Sequence, residues 1–140
     1  MTPEAIANAI RSAFKTNIAD ANSLLTLYDN QDEGTFDKPD NAMWCRLSIR
    51  DGDNNQVATG GSGGNTFRRS GVMIAQLFSP LGLGDKDQRE MAGKIEAVFR
   101  CTTISSVKFR TPDMNTVGRT QGGDEWQVNV TCPFYANDTG

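Results

Sequence analysis

From Trp126 to Phe134 the chain alternates without a break. Trp126, Val128, Val130, Cys132 and Phe134 fall on one side, and Gln127, Asn129 and Thr131 on the other. Successive side chains of a strand point to opposite faces, so this run specifies a strand with one buried and one wetter face. A lone strand buries nothing. The run therefore demands strands beside it and an apolar layer over it.

The strands are legible. Met43 to Arg50 repeats the alternation, with Met43, Cys45, Leu47 and Ile49 opposed to Trp44, Arg46, Ser48 and Arg50. Leu24 to Tyr28 and Ile104 to Arg110 read as shorter strands. Phe67 to Phe78 is long, and its second half, Val72 to Phe78, is apolar on both faces. Such a run is either a central strand covered on both sides or a face between subunits.

The covering layer is helical. Thr2 then Pro3 is an oxygen-bearing cap followed by proline at the first helical position, and Glu4 suits the positive end of the dipole. Ile6, Ile10, Ala13 and Phe14 recur at helical spacing, which predicts a helix over about residues 3–17. Asp85 opens a second helix, with Gln88 at capping-box spacing. Met91, Ala92, Ile95, Val98 and Phe99 are its apolar stripe.

Between these elements lie polar and glycine-rich segments. Residues 29–42 read as a polar loop. Asp51-Gly52-Asp53-Asn54-Asn55 reads as turn residues ending a strand, and Gly60 to Gly64 as a segment with no side chains to fix it. A flexible loop over about 52–66 is the expectation. Pro112, Gly118 and Gly122-Gly123 mark another loop. With 140 residues, 37% of them apolar, one domain spanning 1–140 can bury a core unaided. The fold class is α+β, with a mixed or mainly antiparallel sheet and two helices packed on one face.

Composition narrows the chemistry. The chain has no histidine, which removes the commonest general base and most zinc sites. Cys45, Cys101 and Cys132 form no CxxC pair and read as buried structural thiols. Asp51 to Asn55 starts like a calcium loop, but Gln56 and Ser62 stand where glycine and glutamate are required. Gly60 to Gly64 leads into a strand without the lysine of a phosphate loop. No catalytic, metal-binding or cofactor-binding residue is identified. The net charge of −3 supplies no overall field for nucleic acid. No run reaches the roughly 18–20 apolar residues of a membrane span, and the N-terminus lacks the form of a signal peptide.

Candidate contact residues remain. Gly60, Gly61, Gly63 and Gly64 form either an arm that orders against a neighbouring subunit or a plain solvent loop. Arg68 and Arg69 are either an interface spot or a solvated strand end. Asp32, Glu33 and Asp37, in the acidic stretch from Asp29 to Asp40, are a suitable partner on another copy or are simply solvated.

Taken in order, these pieces resemble the tail terminator-like proteins of long-tailed bacteriophages. The likeness runs from the amphipathic helix Thr2–Arg11 through Trp44–Ile49 and Phe67–Phe78. It continues through Gly82-Leu83-Gly84 and Ala92–Phe99 to Trp126–Val130. The resemblance implies a virion protein of the tail and neck, made in the host cytoplasm. It implies a ring, six copies by family pattern, that caps the tail tube and stops its polymerisation. Its further partners would be the tail tube protein and the head-side connector or stopper, with genomic DNA passing through the lumen unread. Another neck protein, a head completion or tail-to-head joining subunit, is the related alternative. A small hydrolase or nucleotide-binding enzyme, or a standalone ligand-binding α+β module, is the alternative of a different class.

Overall fold

The computed structural model describes residues 2–29, 39, 42–61 and 64–139, with the Thr139 side chain left out. Helix α1 (Pro3–Phe14) starts as the sequence predicts. Thr2 is extended, and its Oγ1 accepts from the Ala5 N–H at 3.1 Å. Ile6, Ile10, Ala13 and Phe14 are buried along one stripe. Instead of ending near residue 17, the helix widens into a π turn, Lys15–Ala19, closed by Asp20 N–H to Lys15 O at 2.8 Å. This turn delivers Ile18 and Ala19 to the core as well.

The strands follow. β1 (Leu25–Tyr28) pairs parallel with β2 (Trp44–Ala58), which pairs antiparallel with β3 (Thr66–Pro80). Helix α2 (Lys86–Phe99) crosses next. Then come β4 (Thr103–Ile104), β5 (Val107–Phe109), β6 (Asp113–Arg119) and β7 (Glu125–Thr139). These seven strands form one mixed sheet: six follow the order β1-β2-β3-β7-β5-β4, and β6 pairs with β7 off that path. β3 takes one edge of β7 over its whole length; β5 and β6 share the other edge. The sheet curls into a half-barrel, and the domain is α+β as expected.

Both helices lie on one face. Cys45, Leu47, Met73, Ala75, Leu77, Val130, Cys132 and Phe134 meet Ile10, Phe14, Met91, Ile95 and Phe99 in a single core. A run of rings ties the layers: Phe14 to Phe99 at 6.3 Å, Phe99 to Phe109 at 5.0 Å and Phe109 to Phe134 at 5.8 Å. Gly71 sits under this run because a Cβ there would approach Phe134 Cζ to 2.7 Å and Arg50 O to 2.6 Å. Among the described residues the other face carries no helix and one small cluster, Leu27, Trp44 and Phe78. Trp44 stacks on Phe78 at 4.5 Å and donates its indole N–H to the buried Glu125 carboxylate at 2.7 Å.

Three expectations need correction. The segment 52–58 is not loop: β2 continues through Asp51-Gly52-Asp53-Asn54-Asn55, with a register shift between Asp51 and Asn54, as far as Ala58. Ladder hydrogen bonds with β3 hold this polar stretch in place of apolar burial. The segment around Gly118 is likewise strand β6, paired with β7. Gln88 makes no capping box. It is fully buried, and its Nε2 donates to Leu77 O and Trp126 O, both at 2.9 Å. Asp85 makes no side-chain cap and pairs with Arg89 Nε at 2.8 Å.

Candidate assembly surface

The covered face holds two of the three cysteines. Cys45 and Cys132 are buried in it, and all three cysteines are free thiols. Burial pushes the Cys45 thiol far above its usual range. Burial, with a smaller contribution from Glu96, pushes Cys132 up to about 12. The expectation of three buried thiols fails at Cys101. This residue is exposed, with φ of 48°, in the turn after α2.

The β2–β3 hairpin reaches past the helices. Its β2 arm is exposed from Arg50 to Ala58. At the tip the glycines close on one another. Gly64 N–H donates to Gly61 O at 2.9 Å, and Gly60 N–H to Asn65 Oδ1 at 3.2 Å. A Cβ on Gly60 would stand 2.4 Å from Gly64 O, so the glycines permit a backbone approach that no other residue allows. The acidic candidates Asp32, Glu33 and Asp37, and Gly63 at this tip, lie outside the described residues.

Arg68 and Arg69 do not act together. Adjacent strand residues face opposite ways, so the expected basic spot is split between the two faces of β3. Arg69 turns to the helix side, into a recess lined by Pro3, Ile6, Asp51, Asn54 and Phe134. Its Nε is buried with no hydrogen-bond partner among the described residues. Arg68 turns to the uncovered side and donates from Nε to Asn137 Oδ1 at 3.1 Å.

On that uncovered side Arg68 joins a cluster. Its guanidinium carbon lies 4.4 Å from the centroid of the Tyr135 ring. Arg110 approaches the same ring at 4.7 Å, and Lys108 Nζ at 5.8 Å. The register explains this convergence. Tyr135 on β7 sits opposite Ser70 of β3 on one flank and Lys108 of β5 on the other. A strand over Ile104 to Arg110 was legible in sequence, but the meeting of Lys108 and Arg110 with Arg68 was not, because it needs the order β3-β7-β5.

The other end of β3 differs in kind. Leu83 is 67% exposed in the turn before α2, between Gly82 and Gly84, which both have positive φ. A recess beside it is lined by Pro80, Leu81, Asp85 and Trp126. The Trp126 indole N–H is buried with no hydrogen-bond partner among the described residues. The domain thus has a polar, glycine-tipped end and an apolar end.

Comparison with known proteins fixes the family. A solved structure shares 17% identity with this chain, at a TM-score of 0.61 over 96% of this chain and 95% of that one. At that identity the likeness establishes the fold alone. No curated protein sequence matches the chain. The sequence model of the phage tail terminator proteins matches residues 5–134, from the first turns of α1 to the middle of β7. That match spans nearly the whole domain: the chain belongs to the phage tail terminator protein family.

Proposed function

We propose that this protein closes a ring of six copies on the end of the growing tail tube, stops its polymerisation and presents its other surface to the head-side connector or stopper. The family match over residues 5–134 carries the reading. It makes the chain a structural protein of the phage tail. A closed ring uses a head-to-tail contact, which joins two different surfaces of each copy. The unlike ends of β3 and the unlike faces of the sheet supply such surfaces. Genomic DNA crosses the lumen without being read, and the subunit catalyses nothing. Arg68 and Arg69, the tip glycines Gly60, Gly61, Gly63 and Gly64, and the acidic Asp32, Glu33 and Asp37 are the proposed contact residues.

Tail length tests the reading. A phage lacking this protein should assemble tubes longer than the wild-type length, measured by negative-stain microscopy. Normal-length tails that fail to join heads would instead assign it to the head-side neck, as a completion or joining subunit.

A further inference from the structure

We infer that the uncovered face of the sheet is the cationic half of the contact between successive copies, with the Arg68–Tyr135–Arg110 cluster receiving carboxylates from a second copy. This rests on the ring reading above and names the face that serves it.

Charge distribution is the first argument. Helices cover Met73, Ala75 and Leu77, whereas Val72, Ile74 and Gln76 on the other face of β3 stay half-buried. Around them the register places Arg46 beside Gln76, Arg50 beside Val72, Arg68 beside Asn137 and Lys108 beside Tyr135. Arg110 joins them through the Tyr135 ring. Among the described residues, the carboxylates with register positions on this face are Asp113, at the β6 end, and Glu125, which is turned into the Trp44 indole. A chain of net charge −3 has therefore gathered five of its 14 basic residues on one face. The rest of its surface is correspondingly more acidic.

That polarity selects the geometry of contact. Two copies meeting through this same face would set like charges against each other. One copy's cationic face against the acidic remainder of the next is attractive. It is also the head-to-tail arrangement that generates rings.

The cluster is built to receive carboxylates. Two guanidinium groups and an ammonium share one ring, and none of the three has a carboxylate within ion-pair distance among the described residues. Such neighbours repel in the isolated chain, and an opposing anion relieves the repulsion. Stacking on Tyr135 restricts the guanidinium groups, so less rotamer freedom is lost when their planar forks take a carboxylate. Half-buried Val72, Ile74 and Pro133 lie alongside, giving the tyrosine, arginine and apolar mixture found at the centre of protein interfaces. The ring already carries cations, so it is not an open platform for stacking a nucleic-acid base.

The test is oligomeric mass. Wild-type protein, R68E/R110E and the helix-side control R11E are compared by native mass spectrometry and light scattering across protein and NaCl concentration. Wild type and R11E should form the same oligomer, weakened by salt. R68E/R110E should need about tenfold or more protein to assemble equally, while unfolding thermally like wild type. Should the double variant misfold, R68K/R110K keeps the charge but loses the fork, and should fall between wild type and R68E/R110E. An R68E/R110E oligomer equal to wild type, or no salt effect on wild type, overturns the inference and leaves the ring intact. A wild type that stays monomeric at every concentration sinks both. Duplex DNA bound by wild type and lost in an R68E/R110E oligomer of normal mass would assign the cluster to phosphate and overturn the inference.

Discussion

Gln88 shows how much one side chain can do in a domain of this size. Its amide holds α2 to both central strands through Leu77 O and Trp126 O. An alanine there leaves both carbonyls without that donor, the Leu77 one in a buried bond, and opens a cavity. Gln88→Ala should cost about 2–3 kcal/mol in urea unfolding, and Gln88→Glu more, because it sets a buried carboxylate against carbonyl oxygens. The cysteines divide by the same logic of burial. Thiolate is the reactive form, and desolvation holds it out of reach at Cys45 and Cys132. A thiol reagent at pH 8 should titrate one cysteine per folded chain, Cys101, and all three after denaturation. Fast modification of a second thiol would show that the core opens readily. Sequence spacing suggested a cap at Gln88 and burial at Cys101. Both readings failed because local pattern does not report what the far side of the molecule brings.

At the scale of elements, the period of the apolar residues was a sound guide wherever burial set the structure. The alternations at Met43–Arg50 and Trp126–Phe134 became the covered and uncovered faces of β2 and β7, and the stripe from Ile6 to Phe14 became the buried side of α1. Elements held by backbone hydrogen bonds were missed. The far half of β2 and all of β6 are polar and mostly exposed, and their strand character comes from pairing with β3 and β7. The hairpin tip is the most testable of these. Gly60 and Gly64 meet each other there, and neither belongs to the hydrophobic core. Deleting Gly60 to Gly64 should therefore leave the thermal midpoint near wild type while lowering the assembled fraction in native mass spectrometry. Full assembly of the deletion variant would remove the tip from the contact.

For the whole molecule, the sequence by itself determined the class of fold, the content of the core and the lack of a histidine-based active site. It did so because burial is a per-residue property that repeats with the period of each element. Its resemblance to tail terminators also proved to be membership of that family. Tertiary structure alone decided which strands are neighbours, and the proposed surface follows from that order. Arg68, Lys108 and Arg110 are distant in the chain and meet over Tyr135 because β3 and β5 flank β7. The packing of both helices against Met73, Ala75 and Leu77 leaves Val72 and Ile74 on the other face. Period-2 patterning says which way a side chain points relative to its own strand. Only the pairing of strand edges, made by backbone groups common to every residue, says which other side chains it will meet.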